Sequence, residues 1–301
     1  MSNSPITSRS FELKSAPSID TFLDDKSPED LHEYFEQIMD KGIHGLCFSI
    51  YENGQAPGDI ISKEQVRSRL EIIQPYASWV RSFSCIEGNE WVPIIAKEMG
   101  MKTLVGAWLG TDLEKNQKEI EALIMLAKRG LVDVAAVGNE VLYRNDLTEQ
   151  QLLDYMQQVK TALPNTPVGY VDAYYEFVNH PKITEASDVI LCNCYPFWEG
   201  CPLEYSNSYM QQMYEQAKKA AKGKKVIITE TGWPSKGQEV KGVTPNHGNA
   251  LKYFIQTHLW AQENHIETFY FSSFDEDWKT DAEGEAGAYW GVWDKYGQLK
   301  Y

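Results

Sequence analysis

Two apolar runs stop on a glutamate: VDVAAVGNE closes on Glu140 and KKVIITE closes on Glu230. A carboxylate at the rim of a buried strand costs free energy unless it is paired or used. Two facing carboxyls are what glycoside cleavage needs. One protonates the leaving oxygen, and the other attacks the anomeric carbon or activates water. The same spacing also fits two rim carboxylates in ion pairs with Lys or Arg. The neighbours favour sugar chemistry. Asn139, directly before Glu140, can bond a sugar 2-hydroxyl, a contact that strengthens in the transition state. Trp233, in ETGWP, offers an apolar face to a pyranose ring and keeps its indole N–H for a hydroxyl.

Strands and helices must hold these groups. Apolar, strand-like runs recur at 43–50, 79–84, 102–109, 132–139, 166–172, 187–195, 224–230 and 266–274. Helix-periodic stretches such as EQVRSRLEIIQPY, EKNQKEIEALIMLAKRG and TEQQLLDYMQQVKTALP separate them. Near-continuous apolar strands alternating with amphipathic helices predict an α/β fold with a parallel sheet covered by helices. Eight such units predict closure into a (β/α)8 TIM barrel, and 301 residues suffice for one as a single domain. Residues 1–20 are polar and Ser-rich and read as a loose tail or a cover for the barrel bottom. That leaves 21–301 as the catalytic domain.

Barrel active sites lie in the loops at the C-terminal ends of the strands. Glu140 and Glu230 are 90 residues apart, which is three units at about 30 residues each. The pair therefore belongs on strands four and seven, facing across the mouth. Other strand ends add Tyr51, Trp108, Asp172, Tyr195, Phe197 and Trp198 as sugar-binding candidates, with Asp172 equally able to cap the next helix. Trp278 and Trp290 sit beyond the last strand as further stacking candidates, whereas Trp79, Trp91 and Trp260 read as packing. Arg81, inside strand two, is a candidate partner for a rim carboxylate.

Bulk composition narrows the partners. A formal charge of −15 disfavours nucleic acid and anionic membrane surfaces and suits a neutral substrate. Nine Trp and seventeen Tyr exceed the needs of a core, so some are expected to line a site. Five Cys are expected as small buried side chains, and Cys192 and Cys194 share a strand face without a second pair to complete a metal site. Six His form no cluster, so neither metal nor cofactor is expected. No run approaches the roughly 20 apolar residues of a membrane span. The segment MSNSPITSRSFELKS lacks the apolar stretch of a signal peptide. The sequence as it stands reads as a cytoplasmic monomer, and as periplasmic or secreted if a leader has been removed.

VGNEVLYR (137–144) and ITETGWPSKG (228–237) resemble the two signature regions of glycoside hydrolase family 17, the β-1,3-glucanases of clan A. GLCFSIYENGQAPG (45–58), WVRSFSC (79–85), AKEMGMKTLVGAWLG (96–110), VGYVDAYYEF (168–177) and NCYPFWEG (193–200) look like bacterial members, and the resemblance runs from about 43 to 301. It implies a β-1,3-glucan or its oligosaccharides as partner, with Glu140 as general acid/base and Glu230 as nucleophile of a retaining hydrolase. Retention implies carboxyls about 5–5.5 Å apart. Glu140 must then be held protonated by burial and by the Glu230 charge. Glu230 needs donors, for which Tyr195 is a candidate. A transglycosylase would use the same pair, and a glycan-binding barrel without catalysis would need neither.

The run FDEDWKTDAEGEAGAYWG (274–291) resembles the family's strand-eight loop, where a Glu, a Lys and a second Glu contact sugar hydroxyls and the nucleophile's surroundings. Glu276 and Lys279 match. The place of the second Glu, three residues before Trp-Gly, is Gly287 here; Glu285 is the nearest substitute, with Glu283 behind it. Loops 52–62, 197–207 and 235–247 are those able to close one end of a groove and turn endo action into exo action.

Overall fold

The apolar runs form eight parallel strands: β1 (Ile43–Cys47), β2 (Ala77–Ser82), β3 (Lys102–Ala107), β4 (Val134–Asn139), β5 (Val168–Ala173), β6 (Ile190–Asn193), β7 (Val226–Thr231) and β8 (Thr268–Tyr270). They pair in chain order, and β1 pairs with β8 to close the barrel. This computed structural model describes residues 9–301. Helix α1 (Pro28–Lys41) precedes β1. Between successive strands lie α2 (Lys63–Ile73), α3 (Trp91–Glu98), α4 (Leu113–Lys128), α5 (Glu149–Ala162), α6 (Glu176–Asn179) with α7 (Pro181–Ala186), α8 (Leu203–Ala221) and α9 (His247–Glu263). A short α10 (Thr280–Glu283) lies in the loop after β8.

The helix starts follow local chemistry. Ser27 and Asp30 form a reciprocal capping box on α1, with Pro28 in the first turn. Ser62, Asp112, Thr148 and Asn246 cap α2, α4, α5 and α9 through their side-chain oxygens. Each cap supplies a partner for a backbone N–H that the helix leaves unpaired. The apolar faces then close on the sheet, and β4 and β7 are buried at every residue.

Pairing is irregular where the candidate carboxylates stand. The β4–β5 register shifts between Ala136 and Asn139, β6–β7 between Cys192 and Asn193, and β7–β8 between Ile228 and Thr231. Such irregularities re-aim side chains at a barrel rim. Gly138 (φ 81°) and Glu140 (φ 53°) lie in the left-handed region, so the chain turns sharply as it leaves β4.

The described start of the N-terminal segment does not cover the barrel bottom, one of the two places expected for it. Phe11 N donates to Glu199 O at 2.7 Å, and Lys241 Nζ donates to Arg9 O at 3.3 Å. Residues 9–11 therefore pack on the loops after β6 and β7, at the mouth end rather than the bottom. Residues 1–8 of the expected tail lie outside the described residues. Among the described residues no helix is long and apolar enough to cross a membrane.

Gly232 follows β7 where it meets β8. A Cβ there would sit 2.1 Å from Phe271 O and 3.3 Å from the Trp290 ring. Gly232→Ala is expected to cost about 1–3 kcal/mol, as overpacking does, seen as a lower urea midpoint. Gly110→Ala, with open space at its Cβ, is expected to leave the midpoint in place.

Candidate active site

Glu230 on β7 is buried, and each of its oxygens has a donor. Arg81 Nη1 donates to Oε1 at 2.7 Å, and the Tyr195 hydroxyl donates to Oε2 at 2.7 Å. Arg81 rises from β2 inside the barrel and is 2% exposed. Its Nη2 donates to Asn139 Oδ1 at 2.7 Å, and its guanidinium lies 4.1 Å from the centre of the Phe83 ring. Burial alone would depress the Arg81 pKa, but the Glu230 carboxylate and Cys47 raise it above its ordinary value. The Tyr195 phenol is pushed well above its usual range by burial and then by Glu230, so it donates as a neutral hydroxyl. The bond from Arg81 takes the oxygen end of the Asn139 amide and leaves its NH2 end as a donor.

Glu140 stands opposite in character. It is partly open to solvent, and one amide serves it: Asn193 Nδ2 donates to Oε1 at 2.8 Å. Thr229 Oγ1 donates to Asn193 Oδ1 at 2.9 Å and so turns the amide N–H toward Glu140. The Glu140 pKa is raised to about 7, first by burial and then by the Glu230 charge; Asn193, Arg144 and Arg81 pull it the other way. Arg144 braces the same turn, donating to Asn139 O at 2.7 Å and Leu109 O at 3.2 Å, with its guanidinium 4.7 Å from the Trp108 ring centre. A carboxyl that keeps its proton to about pH 7 thus faces one whose two oxygens are supplied with donors. That arrangement can protonate a leaving oxygen with one group and attack carbon with the other.

The loop after β8 adds charge. Glu276 accepts from Ser49 Oγ and from Trp278 Nε1 (3.0 Å), and it pairs with Lys279, whose ammonium lies 4.1 Å over the Phe271 ring. Tyr51 meets Trp278 edge-on at 5.9 Å, and burial pushes its phenol up to about 12. Glu283 is raised by burial, lowered by Lys279, and raised by Glu276 and Glu230, which sets it among these groups. A Cβ on Gly287 would lie 2.6 Å from Glu283 Cβ and 3.1 Å from its Oε2. Glu283 fills the space that a side chain at 287 would take. Glu285, the nearest substitute in sequence, is instead exposed and pairs with Lys236 at 3.4 Å.

Several sugar-contact expectations fail for lack of surface. Trp233, Phe197 and Trp290 are closed off at 1%, 0% and 2% exposure. They pack on one another, with Phe197 5.3 Å from Trp233 and 5.7 Å from Trp290, and Trp290 lies 5.4 Å from Tyr195. They form a wall behind Tyr195 and present no face to a sugar. Trp198 stays half-buried and Trp108 exposed. Asp172 is wholly buried; it accepts from the Tyr170 hydroxyl, from Ala173 N at 2.7 Å and from Tyr143 N at 3.3 Å. Its oxygens are not free for a sugar. Asn193 and Arg144 were missed by sequence reading. Asn193 had a signal, as a polar residue closing the apolar run VILCN.

The model of the BtgE/BtgC glycoside hydrolase domain matches residues 45–291. A glucan 1,3-beta-glucosidase of Saccharomyces cerevisiae is 26% identical over 81% of this chain and 86% of its own length. A second glucan 1,3-beta-glucosidase, from Schizosaccharomyces pombe, is 26% identical over 77% of this chain and 78% of its own. The crystal structure of a glycoside hydrolase family 17 beta-1,3-glucanosyltransferase from Rhizomucor miehei superposes with a TM-score of 0.78 at 27% identity, covering 87% of this chain and 96% of that one. An active-site mutant of the Rhizomucor miehei enzyme, in complex with laminaritriose, gives a TM-score of 0.77 at 27% identity over the same shares.

Carbon-13 NMR of the glutamate carboxyls tests the coupling of the pair. Glu140 is expected to lose its proton as pH rises through about 7. Glu230→Gln removes a charge that favours the protonated form, so the Glu140 titration moves down while burial keeps it above an ordinary carboxyl. An unchanged midpoint means that the two groups do not sense each other.

Proposed function

Because the chain belongs to glycoside hydrolase family 17, with the BtgE/BtgC glycoside hydrolase domain over residues 45–291, we propose that it cleaves β-1,3-glucosidic bonds of laminarin-type glucans by double displacement at Glu140 and Glu230. The observation that carries this is the contrast between the two carboxyls: one held protonated near neutrality, the other held by Arg81 and Tyr195. In the first half, Glu140 gives its proton to the glycosidic oxygen as the C1–O bond breaks. A Glu230 oxygen forms the new bond to C1, and the leaving sugar departs as an alcohol. Glu230 is now an ester without charge, so its upward push on Glu140 is gone. Asn193, Arg144 and Arg81 still favour the anion. Glu140 can then take a proton from water as the water oxygen attacks C1 and frees Glu230. On this reading the NH2 end of Asn139 donates to the 2-hydroxyl, and Glu276, Lys279 and Glu283 supply further polar contacts.

A second reading has its own support. The Rhizomucor miehei enzyme matched over 96% of its length is a glucanosyltransferase. In transfer, a sugar hydroxyl replaces water in the second half, and the residues keep their roles. Products of laminaritriose turnover separate the two: oligomers longer than the substrate mean transfer, and shorter ones alone mean hydrolysis.

Glu230→Gln is expected to lower laminarin activity by several orders of magnitude, each factor of ten being about 1.4 kcal/mol of barrier. Proton NMR of the first product is expected to show the β-anomer. Survival of activity within tenfold, or an α-anomer first, sinks the assignment. Glu283→Ala is expected to cut kcat/KM by on the order of tenfold or more, as loss of a placed contact does, and Glu285→Ala to leave it nearly unchanged. The reverse ranking would put Glu285 in the site.

A further inference from the structure

The chain leaves β4 in a conformation that residues with a Cβ disfavour, since Glu140 has φ 53°. Something must hold it there. We propose that Tyr170 and Asp172 on β5 are positioning residues that fix the turn carrying Glu140. The proposal rests on the reading of Glu140 as acid and base.

The contacts run from β5 to the backbone just past Glu140. Leu142 N donates to the Tyr170 hydroxyl at 2.9 Å, and Tyr143 N donates to Asp172 Oδ2 at 3.3 Å. The Tyr170 hydroxyl in turn donates to that same Asp172 oxygen. Asp172 Oδ1 accepts from Ala173 N at 2.7 Å, so the carboxyl is fixed at both oxygens. Glu140 N itself donates to Val171 O, between the two, at 2.8 Å. The Tyr170 ring lies under Gly138, where a Cβ would approach its Cε2 to 3.5 Å. Three successive residues of β5 thus grip the turn: 170 and 172 by side chain, 171 by backbone.

Both side chains are 0% exposed, so neither meets substrate. Loss of the Tyr170 hydroxyl leaves the Leu142 N–H without its partner, and loss of the Asp172 charge weakens the bond from Tyr143 N, so the turn is freer to relax toward ordinary φ values. Displacement of the acid by a fraction of an ångström weakens proton delivery, while Glu230 keeps Arg81 and Tyr195 on the far side of the mouth. The expected defect is therefore selective. Steps that need Glu140 suffer, and attack by Glu230 does not.

The test compares Tyr170→Phe and Asp172→Asn with wild type on two substrates. Laminaritriose needs its leaving sugar protonated, whereas 2,4-dinitrophenyl β-laminaribioside does not. For folded variants, checked by thermal melting, kcat/KM on laminaritriose is expected to fall on the order of 10–100-fold. The dinitrophenolate burst is expected to stay within about threefold, and azide, which attacks C1 without a base, to restore turnover and give a β-glycosyl azide. Equal losses on both substrates would show a role in general stability, and no loss on either would show that the grip is unnecessary; each overturns the proposal. Glu140→Ala is run beside them. If it lacks the same split, the reading of Glu140 fails together with this one. If it shows the split and the β5 variants do not, this inference alone fails.

Discussion

Arg81 ties three strands together from inside the barrel. It is rooted on β2, and its two terminal nitrogens bond Glu230 on β7 and Asn139 on β4. A guanidinium so deeply buried carries a desolvation cost of several kcal/mol, offset only by close, well-directed partners. Removing one partner of such a pair typically costs about 3–5 kcal/mol, because the other charge is left stranded. The site therefore has essentially one low-energy arrangement. The planar fork matters as much as the charge: two nitrogens reach different residues at fixed angles, which a lysine ammonium does not reproduce. Closure of the barrel supplies the three anchor points, so fold and site depend on the same contact.

Around that hub the two glutamates differ in their surroundings. Glu230 sits among donors, whereas Glu140 sits on a left-handed turn with one amide and a burial penalty. The aromatic wall sharpens the difference. Trp233, Phe197 and Trp290 exclude water from behind Tyr195, and excluding water strengthens each charge–charge and charge–dipole contact in front of it. These rings are buried against one another behind the tyrosine that donates to Glu230.

The strands were legible because a parallel barrel buries both faces of each one, and that leaves near-continuous apolar runs in the sequence. The two glutamates were legible because an acid closing such a run is costly unless it has a use. What was not legible is side-chain direction in the loops. Trp233 lies three residues past Glu230, as expected for a sugar platform, yet it turns inward onto Phe197. Glu285 is nearer than Glu283 to the expected place in sequence, but the turn of α10 brings Glu283 over Gly287 and sends Glu285 outward. Asp172 was read from its strand-end position as a sugar ligand or a cap for the next helix. Tyr170, two residues earlier and so on the same strand face, takes up that carboxyl first.

The proposed proton cycle sets a limit on how Glu140 is tuned. Its pKa must be high while the bond to the leaving sugar breaks and lower when the second nucleophile arrives, and the change in the pair's charge between these moments is the loss of the Glu230 negative charge. A carboxyl raised by burial alone would stay protonated throughout and fail as a base. Here burial is the largest upward influence, but Asn193, Arg144 and Arg81 oppose it and persist after Glu230 is esterified, so the balance shifts toward the anion at the required step. In the proposed cycle, water and a sugar hydroxyl would both surrender their proton to this one carboxylate. Under that cycle the carboxyl pair does not distinguish hydrolysis from transfer. On that proposal the choice falls to the surface near Glu140, where Tyr143 and, beneath the Arg144 guanidinium, Trp108 are exposed rings.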